Sequence, residues 1–270
     1  MISVICPYHN CSKIILNAIN SLLSQKVDNK LFEVIFIDDG STDDTTNIVA
    51  NNLIKFKQKN ISSRIISQNH KGAGSARNLG INNSKYDFIA FLDADDRWKD
   101  LKLSKCISTI KKHENDVNLI IHDELFIRCD NSTQRIHNGN FYYSTIAESL
   151  YRRNTFSTSA IVLNKNLLKK YGLFNENLMS SQDYELWLRM APNLKVIRID
   201  EVLGEYYENP NGITSKYYAK RFLDQLRIAY KYRSYVSIPI YIYKICRILL
   251  SKQWIYGLSN LITSKKGHNY

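Results

Sequence analysis

Three groups of carboxylates stand out in this chain: Asp38-Asp39, Asp93-Ala94-Asp95-Asp96 and Asp183-Tyr184-Glu185. Acids this close repel one another, so each group needs a cation, a set of hydrogen-bond donors or a shared proton. A divalent metal that ties carboxylates to the oxygens of a phosphorylated substrate satisfies that need. Mg²⁺ and Mn²⁺ take all-oxygen ligands and stabilise a departing phosphate. Arg77, behind Gly72 and Gly74, adds a cation where a side chain and helix-start N–H groups could both meet a pyrophosphate. A surface arginine closing a helix-end ion pair is the alternative reading.

Strand-like runs deliver the first two groups. Val34 to Ile37 precedes Asp38, and Phe88 to Leu92 precedes Asp93. Carboxylates at the carboxyl ends of such strands meet in the crevice where open α/β sheets bind ligands. Ser41 is a candidate N-cap, with Asp44 three residues on, and Val49, Leu53 and Phe56 follow at helical spacing. The spacing further predicts a strand over 64–67, a loop entering a helix at Gly72 to Ala76, a helix over 98–112 and a strand over 117–127. It also predicts a loop or hairpin near the site over 128–145, and a strand over 158–163 leading to a helix that ends at Gly172. Ser181 is a candidate cap for a helix starting with Asp183. Alternation of strand and helix predicts a mostly parallel α/β sheet flanked by helices.

In this order the motifs resemble a family-2 glycosyltransferase of the GT-A fold. The resemblance rests on Pro7-Tyr8-His9-Asn10, Asp38-Asp39-Gly40-Ser41, Gly72-Ala-Gly74-Ser-Ala76-Arg77-Asn78, Phe91-Leu92-Asp93-Ala94-Asp95-Asp96, Gly172-Leu-Phe174-Asn-Glu176 and Gln182-Asp183-Tyr184-Glu185-Leu186-Trp187. It covers roughly residues 1 to 215. It implies a nucleotide-sugar site using Pro7, Asp39, Arg77 and Asp93, with Asp39 at the position that contacts the base. A carboxylate there can accept the ring N–H of uracil, which favours a uridine donor. Helix capping remains the alternative for Asp38 and Asp39, more so for Asp38. The resemblance implies Asp95 as ligand of Mg²⁺ or Mn²⁺, although Asp96 beside it leaves the ligand open by one residue.

Asp183 is the expected catalytic base. Transfer with inversion needs one carboxylate to take the acceptor hydroxyl's proton, and partial burial is expected to raise its pKa. Trp187, one turn on, is either a sugar platform or a core residue, and Glu185 with Arg189 reads as a surface i,i+4 ion pair. Many relatives carry Tyr-Arg-x-His where this chain has Tyr206-Tyr207-Glu208-Asn209. Asn209 can offer an amide oxygen to metal or diphosphate but no imidazole. His9 stands in place of the tyrosine of the opening turn, and the other histidines show no ligand spacing.

The net charge of +12 is unevenly spread. Residues 216–270 hold seven lysines and four arginines against Asp224 alone, a net +10, with nine of the eighteen tyrosines and Trp254. The chain thus reads as a 1–215 catalytic domain and a basic, aromatic-rich helical extension over 216–270. The apolar run from Val236 to Leu250 is interrupted by Lys244 and Arg247 and broken by Pro239, so it does not read as a spanning helix. It fits a helix lying on an anionic membrane beside a lipid-linked acceptor. Packing against the body or a nucleic-acid arm are the other readings. Five cysteines without a close pair suggest neither zinc nor a disulfide framework. Together with the absence of a leader pattern, this predicts a cytoplasmic protein peripheral to the membrane.

The function expected is glycosyl transfer from a nucleotide-diphosphate sugar to a glycan hydroxyl in surface polysaccharide assembly. Its rivals are an inactive transferase-fold adaptor and a nucleotidyltransferase. The latter would want a glycine-rich, lysine-bearing loop after the first strand.

Overall fold

A computed structural model describes residues 1–113, 116–209 and 218–251. In chain order the strands are β1 (Ile2–Tyr8), β2 (Phe32–Asp38), β3 (Ser62–Ser67), β4 (Phe88–Phe91), β5 (Arg97–Trp98), β6 (Leu119–Ile127), β7 (Thr133–Ile136), β8 (Ile161–Asn164) and β9 (Val196–Tyr207). The helices are α1 (Ile15–Leu23), α2 (Thr45–Gln58), α3 (Ala73–Asn82), α4 (Lys102–His113), α5 (Ile146–Arg152), α6 (Lys165–Tyr171) and α7 (Gln182–Met190), followed by Tyr218–Lys231 and Ile238–Leu249. They fall into two compact units. The first comprises Met1–Asn140, Thr155–Glu176 and Asn193–Glu208, and the second Phe141–Asn154, Asn177–Pro192 and the described residues from Asn209 onward. This partition does not coincide with the division at residue 215 read from charge, because two segments before that point join the second unit.

All the strands belong to one sheet in the order β3-β2-β1-β4-β8-β6-β9-β5, with β7 paired to β6. β3, β2, β1 and β4 run parallel; β8 is antiparallel to both β4 and β6, and β9 runs parallel to β6. This is the mostly parallel α/β sheet expected. Every residue of β1, β2 and β4 is buried. Covering both faces explains why these strands read as continuous apolar runs rather than alternating ones. The register sets Tyr8 beside Asp38 and Ile5 beside Phe91, so the motif residues all emerge at one carboxyl edge.

Several boundaries differ from the sequence reading. α2 starts at Thr45 with Asp44, not Ser41, at the N-cap, because Ser41 N–H is drawn back to Asp38 Oδ1 at 2.9 Å. Trp98 is no helix start: it pairs with Gly204 in the sheet, and α4 begins at Lys102. Residues 128–136 form a hairpin that turns through Asn131 at φ +64°. Ser181 holds the N-cap position of α7 at φ +56°, but its hydroxyl makes no capping bond.

α3 lies close on β1, and Gly80 permits it. A Cβ there would stand 2.4 Å from Cγ2 of the fully buried Ile5. Helix propensity alone would make Gly80→Ala stabilising by about 1 kcal/mol. Overpacking of a closed core costs about 1–3 kcal/mol, so the contact wins. Urea unfolding of Gly80→Ala is expected to show a net loss of stability of about 1–2 kcal/mol; a gain would mean that Ile5 can move aside.

Candidate functional site

At the ends of β1 and β2 the two adjacent aspartates divide their work. Asp38 accepts Ser41 N–H at 2.9 Å and Thr46 Oγ1 at 3.0 Å, so it ties the turn to α2. Asp39 reaches the loop after β3 instead. Its Oδ1 accepts Gln68 Nε2 at 2.7 Å and Lys71 N–H at 2.9 Å, and its Oδ2 accepts Gly72 N–H at 2.8 Å. His70 Nδ1 stands 2.8 Å from the same Oδ2, and the His70 ring stacks on His9 with centroids 4.1 Å apart. A carboxylate accepts about four hydrogen bonds, so Asp39 is fully engaged. Its one solvent-facing side-chain partner is His70, 61% exposed. The loops meet through Gly40 at φ +73°, where a Cβ would lie 2.8 Å from His70 N.

The second acidic group is a turn after β4 with its carboxylates facing different ways. Asp93 and Asp95 are half-buried. Arg77 donates from Nη2 to Asp93 Oδ1 at 2.5 Å and lies over the Phe174 ring. Arg77 sits within the second turn of α3 and is mostly buried. Asn78 beside it anchors the Gly172–Glu176 segment, donating to Phe174 O and Glu176 Oε1. Asp96 turns inward and accepts Ser159 Oγ at 2.5 Å. Burial, together with Asp95, Glu124 and Asp93, pushes its carboxyl well above the usual range.

Ser159 is the hub that sequence reasoning missed. Its hydroxyl also accepts Asp93 N–H at 3.1 Å, so one side chain holds both ends of the acidic turn. Its carbonyl accepts Trp98 Nε1 at 2.9 Å and Lys102 Nζ at 2.5 Å. Lys102 is fully buried with its ammonium 3.5 Å from the Trp98 ring centroid. Glu124, also fully buried, accepts Asn138 Nδ2 at 3.0 Å. A signal for Lys102 existed: it lies on the same face as Leu103, Cys106 and Ile110, four residues before a buried cysteine.

Two clusters among the described residues bring three ligand-type atoms within 4.8 Å: His9-Asp39-His70 and Asp123-His137-Asp200. Histidine positions thus meet carboxylates without any ligand spacing in sequence. In the second cluster Arg135 and Arg198 both donate to Asp123 and to Asp200, so arginines already neutralise it.

The second unit holds the remaining sequence-predicted residues. Asp183 is half-buried in the first turn of α7. Trp187 is fully buried, as the core reading of it expects. Glu185 departs from its reading as a surface ion pair. It is buried and accepts Arg189 Nη2 at 2.9 Å, Lys231 Nζ at 2.7 Å and Tyr232 Oη at 2.5 Å. Those donors outweigh the cost of burial and hold its carboxyl below the usual range. Asn209 lies just beyond β9, half-buried.

Burial pushes Lys102 down to about 7, against about 10.4 in an unfolded chain. Between those values the unfolded state binds more protons, so this group makes stability rise with pH. Relative to Lys102→Met, the wild type is expected to gain on the order of a few kcal/mol from pH 7 to pH 10. Urea midpoints across that range check it, and parallel pH curves for the two proteins would refute the lowered proton affinity of Lys102 in the fold.

The Glycosyl transferase family 2 model matches residues 3–172. An uncharacterized glycosyltransferase of Rickettsia felis is 31% identical over 76% of this chain, and the chain spans only 32% of that relative's length. The Escherichia coli UDP-Glc:alpha-D-GlcNAc-diphosphoundecaprenol beta-1,3-glucosyltransferase WfaP is 30% identical over 84% of this chain and 83% of its own. Among solved structures, the mannosyltransferase PcManGT from Pyrobaculum calidifontis, in complex with GDP-Man and Mn²⁺, superposes with a TM-score of 0.69. At 15% identity, over all of this chain and 76% of that one, the likeness concerns the fold alone. With the parallel sheet and its acidic carboxyl edge, these matches establish that the chain belongs to glycosyl transferase family 2.

Proposed function

We propose that this protein is an inverting glycosyltransferase that moves a sugar from a nucleotide-diphosphate donor, a UDP-sugar, to a hydroxyl of a lipid-linked glycan. The setting proposed is assembly of a bacterial surface polysaccharide, from the cytoplasmic face of the membrane. The observation that carries the reading is the convergence of Tyr8, Asp39, Arg77, Asp93 and Asp95 at one edge of the parallel sheet. WfaP, a family relative, takes UDP-Glc and a diphosphoundecaprenol-linked acceptor by its name.

The residues present suit a hard divalent cation, Mg²⁺ or Mn²⁺. Asp93 and Asp95 are partly accessible oxygen donors on one turn, while Asp96 is committed inward. Such an ion, when bound, would neutralise the departing diphosphate. Asp95 is its proposed ligand, which leaves Asp93 to the ribose. Arg77 is paired with Asp93 and so is held beside the place a diphosphate would take. Pro7, second from the end of β1 and opposite Ile37 of β2, is proposed to shape the floor under the nucleotide. Asp39 accepts the ring N–H of uracil once His70 yields its place on Oδ2.

Asp183 takes the proton of the acceptor hydroxyl as oxygen attacks the anomeric carbon opposite the diphosphate. Inversion in one displacement needs no second carboxylate as nucleophile. Asn209 is proposed to contact the diphosphate or acceptor. Trp187, buried as it is, supports the acceptor side as packing rather than as an open platform.

Saturation-transfer NMR against a panel of nucleotide sugars, with Mn²⁺ and then with chelator, tests the donor. Binding of a UDP-sugar that chelator abolishes is the expected result, and Asp95→Asn should abolish it likewise. Asp183→Asn is expected to keep donor binding while transfer falls by about 10²–10⁴-fold. Full transfer by that variant would remove Asp183 from the chemistry.

A further inference from the structure

The basic extension resolves into faces that the linear sequence does not separate. Ile238, Ile242, Ile245 and Leu249 recur at i, i+4, i+7 and i+11 along the Ile238–Leu249 helix and line one side of it. That side is mostly bare: Ile238 is 74% exposed, Ile242 54% and Leu249 41%, Ile245 is half-buried, and Leu250 just beyond is 80% exposed. The residues that break the run in sequence do not break the stripe. Lys244 turns inward, half-buried, with its ammonium 5.3 Å from the Tyr184 ring centroid and 3.4 Å from Arg152 O. Ile248 is buried on that inner side. Pro239 stands in the first turn, where its missing N–H costs nothing, so it starts the helix and does not interrupt it.

Charge says what covers the stripe. Of the residues from 216 on, Asp224 is the sole acid, and it is buried, accepting Met179 N–H and Ser180 N–H at 3.1 Å each. Arg233 just before the helix and Arg247 within it are exposed, as are Tyr230 and Tyr243. Lys252 follows in the sequence. The outward charge is therefore cationic, beside an apolar strip one side chain wide and about 16 Å long at 1.5 Å per residue. A stable protein–protein contact wants about 800 Å² from each partner, more than such a strip offers. Pairing two copies would also set two cationic surfaces against each other.

We propose that Ile238, Ile242, Ile245, Leu249 and Leu250 form a monotopic docking face. It lies in the plane of an anionic lipid surface, with Arg233 and Arg247 at the headgroups and Tyr243 at the boundary. An interfacial helix of this kind sinks its apolar side into the headgroup–acyl boundary and draws on anionic lipid for attraction. No helix among the described residues is long and apolar enough to cross a membrane, so the face serves contact and not spanning. The proposal deepens the peripheral placement proposed above and names the residues that make it.

The test uses the full chain with vesicles of phosphatidylcholine alone or mixed with phosphatidylglycerol. The wild type is expected to sediment with the mixed vesicles, at least about tenfold more tightly than with phosphatidylcholine, and to be released by salt. The variant I238S/I242S/L249S changes only exposed side chains, so its thermal midpoint should match the wild type. Its vesicle affinity should fall by about tenfold or more. Replacing Arg233 and Arg247 by Gln should weaken binding to the mixed vesicles alone. Equal binding by the triple variant, or wild-type indifference to phosphatidylglycerol, would overturn the proposal. So would a change in oligomeric mass with vesicle binding untouched, which would mark the stripe as a protein contact. Nucleotide-sugar binding measured on the same preparations separates failure of the docking face from failure of the glycosyltransferase reading.

Discussion

Negative charge gathered at one edge of a parallel sheet is the constraint on which the first unit is built. Each carboxylate there is balanced by a different means. Asp39 is hydrogen-bonded by two backbone N–H groups and an amide beside an imidazole, Asp93 is paired with the guanidinium of Arg77, and Asp96 is withdrawn from solvent onto Ser159. These solutions are not equivalent. Backbone donors are fixed by the fold and cannot leave, whereas a histidine on the surface and an arginine in a half-open pair can. The edge is therefore rigid where it carries the fold and exchangeable where an anionic ligand or a cation would bind.

Beneath the acidic turn a basic group is placed in the core. A buried ammonium loses its hydration, and here burial lowers its hold on the proton in spite of the groups around it. Lys102 has a carbonyl, an indole face and two buried acids nearby, Asp96 and Glu124. Ser159 links this interior charge to the turn above it, since its carbonyl holds Lys102 and its hydroxyl holds Asp93 and Asp96. The two ends of the turn, Asp93 and Asp96, are thus tied together by a serine more than sixty residues away in sequence, through bonds worth about 0.5–1.5 kcal/mol each.

The parallel sheet and the acids at its strand ends were legible because they rest on local pattern. An apolar run followed by Asp-Asp-Gly or Asp-Ala-Asp says strand, turn and edge without reference to distant residues. Ser159, Lys102 and Glu124 were not, because their roles exist only across the fold. A lysine in a helix reads as a solvated face unless its phase is set against Leu103 and Cys106. Glu185 was misread for the same reason: an i,i+4 partner is visible in sequence, but Lys231 and Tyr232 are not. The helix start slipped at Ser41, whose N–H turns back to Asp38, while Ser181 holds its N-cap position without a side-chain capping bond. In the extension, charge counted along the chain gave the sign of the surface but not its faces. Lys244 interrupts the apolar run on paper and leaves it in three dimensions.

The fate of the two acids of α7 follows from helical phase. Asp183 and Glu185 are two residues apart, so they point to nearly opposite sides of the helix. Glu185 is spent on fastening the Tyr218–Lys231 helix and its following turn. Asp183 lies one residue from the helix start, where the N–H groups of the first turn favour a negative charge by about 0.3–1 kcal/mol. A base must be ionised before it can accept a proton, and it accepts best when its affinity for that proton is raised. In the proposed transfer Asp183, and not the buried Glu185, is the acid of α7 assigned to that role.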